Sequence, residues 1–60
     1  MYVFVVTYEN MDTLKDRRKT ITLEEQEKTT ERDYYFRALG IAYDTKNKNE
    51  CLANLEFVSC

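Results

Sequence analysis

The sequence contains no histidine, no proline and no tryptophan, and it has a single glycine, Gly40. Without histidine there is no Ser-His or Cys-His pair, and the commonest general base is missing. One glycine cannot form a glycine-rich phosphate-binding loop. The scarcity of glycine and proline also argues against a linker or a low-complexity tract. We therefore expect a protein that is not an enzyme and has no small-molecule substrate.

Cysteine is scarce too, with Cys51 and Cys60 as the two thiols. A structural zinc site needs four ligands, mostly cysteine and histidine. On a strand the two cysteines would lie about 30 Å apart, whereas a disulfide requires Cα atoms within about 7 Å. We expect no metal, no cofactor and no disulfide, with Cys51 as a small core residue and Cys60 as a loose end. Of the usual supports of very small domains, a partner chain remains, which favours a homodimer or a complex.

Length and charge narrow the class further. Sixty residues make a single domain, residues 1–60, and such a chain buries only about 60% of its unfolded surface. With eight aromatic residues, the chain is too hydrophobic to be disordered. A net charge of −2 gives no bulk attraction to nucleic acid. The apolar run at residues 3–6 is too short for a signal peptide or a membrane span, so we expect a cytoplasmic protein without a membrane partner.

The N-terminal residues 1–8 are β-branched or aromatic throughout and predict a strand. Both of its faces are apolar, which predicts a central strand with other groups packed against each side. One face carries Tyr2, Phe4, Val6 and Tyr8, and the other carries Val3, Val5 and Thr7.

A second strand is predicted over residues 17–22. Its basic residues are typical of a sheet edge that charge protects from aggregation. An alternative is that Arg17, Arg18 and Lys19, beside Tyr2 or Tyr8 of the first strand, form a platform that stacks bases and holds phosphates. The sequence favours the protected edge and keeps direct nucleic-acid binding as the less favoured hypothesis.

A helix is predicted over residues 23–39. Thr22 and Glu25 have the spacing of a capping box, and Gly40 is placed to end the helix in the left-handed conformation. At 100° per residue one stripe of the last turns is apolar, and it forms the predicted buried face. This face comprises Tyr34, Tyr35, Ala38 and Leu39.

Two further strands are predicted after the glycine, over residues 41–44 and 50–59, joined by a turn at 46–49. The predicted fold is therefore α+β, in the order β-β-α-β-β, with one helix packed on a four-stranded, mostly antiparallel sheet. The second face of that sheet would carry apolar side chains without a cover. Such a surface favours a dimer or a binding site.

The first half of the predicted helix is acidic. Residues 24–33 hold five acidic and two basic side chains, a local charge of −3. Carboxylates along a rigid helix, chiefly Glu24, Glu27 and Glu31, can imitate a row of phosphates and bind a partner's nucleic-acid groove. The ordinary interpretation is a solvated helix face. Among the aromatics, Tyr2 and Phe36 are candidate contacts with a partner, because aromatic residues dominate interfaces; for Phe36, packing under a neighbouring loop is equally compatible.

These features together predict a small protein-binding module. The leading hypothesis is an inhibitor or modulator of a larger nucleic-acid-handling complex. Small acidic inhibitors of this kind are carried by phages and mobile elements, anti-CRISPR proteins among them, and the parallel is one of size and charge. The alternatives are a small nucleic-acid-binding protein that uses the basic strand and a structural homodimer that assembles with itself.

Overall fold

The computed structural model describes residues 1–59, which form three strands and one helix. The elements are β1 (Tyr2–Asn10), β2 (Asp16–Leu23), α1 (Glu31–Asp44) and β3 (Glu50–Ser59). The sheet order is β2-β1-β3, and β1 is antiparallel to both neighbours. The α+β class and the central position of the first strand are thus confirmed. Within residues 1–59, no helix has the length and hydrophobicity to cross a membrane.

The strand predicted over residues 41–44 does not form, so the order of the described residues is β-β-α-β instead of β-β-α-β-β. Residues 41–44 form the last turn of α1, because Gly40 adopts no positive φ and the helix continues through it. Ala42 is buried there against the sheet. The helix ends at Thr45, whose backbone N–H and hydroxyl both donate to the carbonyl oxygen of Ile41.

The predicted start of the helix is also wrong. Leu23 belongs to β2, where it lies opposite Tyr2 and packs against the core. The capping box instead joins Thr30 and Asp33: the Thr30 hydroxyl accepts from the Asp33 amide, and the Asp33 carboxylate accepts from the Thr30 amide. Residues 24–30 are irregular, and Lys28 has a φ of 60°. A helix that began at Thr22 would take Leu23 out of the sheet and place exposed residues in its first turns. The partial burial of Leu23 in β2 stabilises the fold more than that helix cap would.

The core lies between α1 and one face of the sheet. Small alanines at two successive turns of α1 let the helix approach the strands closely. Tyr34 and Ala38 are buried as predicted, whereas Tyr35 is 41% exposed and Leu39 is half-buried. The buried residues are Phe4, Val6, Tyr8, Ile21, Tyr34, Ala38 and Ala42.

The opposite face of the sheet has no second layer within residues 1–59, so the prediction that both faces of β1 are covered is wrong. Val3, Val5 and Thr7 are half-buried on that face by their neighbours in the sheet. Cys51 lies on the same face and is exposed, which contradicts its prediction as a core residue. Cys60 lies outside the described residues.

Gly40 offers a direct test of the helix end. A Cβ built at this position meets no atom within 4 Å, and the residue is exposed in the interior of α1. Gly40→Ala should therefore raise the free energy of unfolding by roughly 0.5–1 kcal/mol, measured by urea titration. A left-handed helix cap at this residue predicts the opposite sign, so a destabilised variant would contradict the continuous helix.

Candidate binding surface

Four aromatic rings meet at the end of the molecule where β1 begins and β3 ends. The ring centroid of Phe4 lies 5.5 Å from that of Phe57 and 6.4 Å from that of Tyr35, both at edge-to-face angles. Tyr2 lies 6.0 Å from Phe57. The antiparallel register, which places Phe4 opposite Phe57, and the first turns of α1 bring these rings together. They surround a cleft of about 270 Å³ lined by Tyr2, Phe4, Glu31, Arg32, Tyr35 and Phe57.

Much of this aromatic surface is accessible to a partner. Phe57 is 48% exposed and Phe36 is 52% exposed. The Phe36 ring lies 6.1 Å from Tyr35, and the guanidinium of Arg32 lies 5.4 Å from the Phe36 centroid. We call the surface formed by Tyr2, Tyr35, Phe36 and Phe57 the aromatic end. It includes both aromatic residues predicted from the sequence, and it leaves Phe36 on the surface with no loop packed over it.

Acidic residues border the aromatic end but lie mostly outside the helix: Glu31 lines its cleft, and Glu25 and Glu27 line a second cleft with Tyr2. Glu24 and Glu27 fall in the irregular segment before α1, and Glu31 is its first residue, so the predicted acidic helix face is wrong as a helix face. Within the described residues, the carboxylates of Glu24, Glu25, Glu27 and Glu31 make no ion pair or hydrogen bond. They are therefore available to a partner.

Gln26 fixes residues 24–31, which we call the acidic segment, to the rest of the protein. Its amide donates to the Tyr34 hydroxyl at 2.6 Å, and the same hydroxyl donates to the Gln26 carbonyl oxygen at 3.2 Å. Its side-chain oxygen accepts from Arg37 at 2.6 Å. Tyr34 in turn stacks on Tyr2, with ring centroids 3.9 Å apart. The second cleft, of about 300 Å³, lies between these stacked rings and the acidic residues; it is lined by Tyr2, Glu25, Gln26, Glu27, Thr29 and Tyr34.

The predicted basic platform is divided between the two faces of the sheet. Arg17 and Lys19 lie opposite Tyr8 and Val6 on the helix side, whereas Arg18 lies on the other face. The Arg17 guanidinium is also engaged within the protein, since it lies 4.6 Å from the centroid of the Tyr8 ring and pairs with Glu50. The structure thus brings Tyr2 together with Glu27 and Glu31 and leaves the basic residues apart.

Arg17 and Glu50 form a bidentate ion pair at the end of the core opposite the aromatic end. Arg17 Nε donates to Glu50 Oε2 at 2.9 Å, and Nη2 donates to Oε1 at 2.8 Å. The Asn47 amide also donates to Glu50 Oε1, at 2.9 Å. The Arg17 hydrogen bonds and then the Asn47 amide lower the pKa of Glu50 to about 2, against the opposing effect of its burial. The hydrogen bond to Glu50 raises the pKa of Arg17.

Sequence reasoning missed this pair. Glu50 is only 4% exposed, although it begins the strand that the sequence predicts correctly. Its contact with Arg17 depends on β2 and β3 lying on opposite sides of β1. Local sequence patterns do not predict this strand order, so the pair could not be predicted. The pair fastens the loop between α1 and β3 to the first hairpin.

The aromatic end combines apolar and charged groups. Its two clefts offer ring faces, carboxylates and one guanidinium. Among the described side chains, no three of histidine, cysteine, aspartate and glutamate gather in an arrangement that would hold a metal ion. No protein-family profile, curated protein or solved structure matches this chain. A proposal for its function therefore rests on the geometry and charge of this surface.

Proposed function

We propose that the protein is a non-catalytic binding module that inhibits a larger nucleic-acid-handling complex by occupying its basic nucleic-acid site. The observation that carries the proposal is the aromatic end, where exposed rings share two clefts with Glu25, Glu27 and Glu31, whose carboxylates have no partner among the described residues. The protein would then be an anti-defence inhibitor of the kind carried by phages and mobile elements, such as an anti-CRISPR protein.

The two components of the surface have different roles in the proposal. Aromatic side chains supply most of the binding energy at protein interfaces because they bury a large area at little entropic cost. Carboxylates supply electrostatic complementarity to lysine and arginine on the partner. A nucleic-acid groove offers both kinds of contact, basic residues for phosphates and flat apolar groups for bases. The clamp on Gln26 holds the acidic segment in place before binding and so lowers the entropy lost on association.

The test is inhibition of DNA cleavage by a panel of purified RNA-guided nucleases, incubated with the protein before target DNA is added. The triple variant Glu24→Lys, Glu27→Lys, Glu31→Lys should lose inhibition by at least about 100-fold, because each carboxylate pair in the interface contributes roughly 1 kcal/mol or more. The matched control carries the same change in charge on exposed acids elsewhere, Asp12→Lys, Asp16→Lys and Asp44→Lys, and should inhibit as the native chain does.

Equal inhibition by the two triple variants would contradict the role of the acidic segment, and cleavage that the native protein leaves unchanged across the panel would contradict the inhibitor proposal. A gel-shift titration separates the alternative of direct nucleic-acid binding. A direct binder retards DNA or RNA at low salt and loses affinity steeply as salt increases. We expect no shift, because Arg17 is paired and Arg18 faces away from Lys19.

A further inference from the structure

The two edges of the sheet differ in how they are protected. β2 carries Arg17, Arg18 and Lys19 in succession, and charged residues of this kind discourage another strand from pairing. β3 spans ten residues without lysine, arginine or proline, and on the described chain nothing covers its outer edge. An edge of this length with a single exposed charge, that of Glu56, is a template for pairing with a further strand.

The side chains of β3 are also covered incompletely on the side that faces the helix. Leu52 and Leu55 are half-buried, and Phe57 is 48% exposed, although all three point to the same face as the core. Tyr35 borders Phe57 across the cleft. Beyond β3 the sheet ends, and the apolar layer between helix and sheet remains open on that side.

We propose that β3 pairs antiparallel with β3 of a second copy of this chain, which forms a continuous six-stranded sheet with a two-fold axis at its centre. Two irregularities in the register add Ala53 and Val58 to β3 and leave Asn54–Phe57 as a regular stretch between them. The two-fold axis passes through this stretch. The inference concerns a different surface from the acidic segment, although it shares Tyr35 and Phe57 with the aromatic end, and it stands without the proposed inhibitory function.

The charge pattern selects the register of the pairing. Centred on Leu55, the pairing is nine residues long, and Asn54 lies opposite Glu56 of the second copy on the outer face. Centred on Glu56, it would place two carboxylates directly opposite each other, which is unfavourable. Centred on Asn54, an equally long pairing would set Leu52, on the core face, opposite Glu56, on the outer face, so the register centred on Leu55 is the one that satisfies both length and facing.

The geometry of the dimer fills the open layer. The two-fold axis places both helices on one face of the sheet, with the two β1 strands about 14 Å apart at the usual strand spacing. Helices in direct contact lie about 8–10 Å apart, so a groove remains between them. Phe57, Leu55 and Tyr35 of each copy point toward this groove and fill it.

The size of the interface sets the expected affinity. A paired strip about 30 Å long, together with the partly exposed rings, buries roughly 1,000 Å² in total, just below the range of about 1,200–2,000 Å² for stable specific interfaces. We therefore expect a dissociation constant on the order of micromolar, and a monomer–dimer equilibrium that concentration shifts.

The experiment is sedimentation equilibrium from about 1 µM to about 1 mM, with folding checked by circular dichroism. Asn54→Glu places carboxylates opposite each other twice per dimer and should raise the dissociation constant about fivefold. Adding Glu56→Lys to this variant restores opposite charges across the pair and should recover the native affinity. Thr20→Glu, on the outer face of β2, is the matched control and should leave the equilibrium unchanged.

Amide chemical shifts recorded on dilution provide a second readout, since changes should concentrate in β3 and be absent from β2. A 7.2 kDa monomer at the highest concentration overturns the proposal. A dimer that Thr20→Glu weakens as much as Asn54→Glu does, or that Glu56→Lys fails to rescue, also overturns it, because the copies would then meet through another surface.

Discussion

Replacing Tyr8 with alanine should leave the chain largely unfolded at room temperature. The Tyr8 ring is fully buried at the centre of the sheet, and the Arg17 guanidinium stacks on it. Its hydroxyl donates to the Ala42 carbonyl oxygen and lies 2.9 Å from Thr45 Oγ1, so it also holds the end of α1. Removing a buried ring costs about 3–5 kcal/mol, and a chain of this length has roughly 3–9 kcal/mol of stability in all.

Two variants separate the ring from its hydroxyl and from a general effect of removing tyrosine. Tyr8→Phe keeps the packing and loses the hydrogen bonds, so it should fold with about 1–2 kcal/mol less stability. Tyr43→Ala removes an exposed ring on the same helix end and should change stability by no more than about 0.5 kcal/mol. Circular dichroism and urea titration measure all three. A cooperative, near-native transition for Tyr8→Ala would show that β1 does not organise the core.

Replacing Glu50 with glutamine should destabilise the protein strongly at neutral pH and much less in acid. Glutamine retains the shape of the side chain and can still accept from the Asn47 amide, so the variant isolates the charge that faces Arg17. The folded-state pKa of Glu50 is about 2, below its ordinary value of 4.5. A carboxyl with a lowered pKa stabilises the folded state fully above its unfolded pKa, and that contribution is lost as pH falls toward the folded value.

The difference in unfolding free energy between the native chain and Glu50→Gln should therefore be constant above about pH 5.5 and lose most of its size between about pH 5 and about pH 2. The measurement is a set of urea titrations across this range. Glu56→Gln is the matched control on the same strand, because its carboxylate is exposed on the outer face and should give the native pH profile. A difference that stays the same from neutral to acid pH would mean that ionisation of Glu50 contributes nothing to folding.

The strands were predictable because their signals are local. Residues 1–8 are β-branched or aromatic throughout, which predicts a strand, and β1 takes the central position between β2 and β3. The strand predicted over residues 50–59 matches β3 in both bounds. The basic strand is observed at an edge of the sheet, where charge is tolerated.

The helix was misplaced at both ends because capping patterns are short and occur more than once. Thr22 and Thr30 each precede an acidic residue by three positions, and local sequence does not separate them. Tertiary packing does, since Leu23 is needed in the strand opposite Tyr2 and Ala42 is needed against the core. The same shift moves Glu24 and Glu27 off the helix and makes residues 41–44 helical instead of a strand.

The candidate surface divides in the same way. The acidic composition of residues 24–33 and the aromatic character of Tyr2 and Phe36 are visible in the sequence, because charge and ring content do not depend on the fold. The meeting of Phe4 with Phe57, the pairing of Arg17 with Glu50 and the open edge of β3 depend on strand order and register. Sequence alone identified β1, β2 and β3 and determined which residues carry charge, whereas the strand that it predicted over residues 41–44 is helical. Tertiary structure decided where the helix begins and ends and which side chains meet, because these follow from burial shared between elements that are distant in the chain.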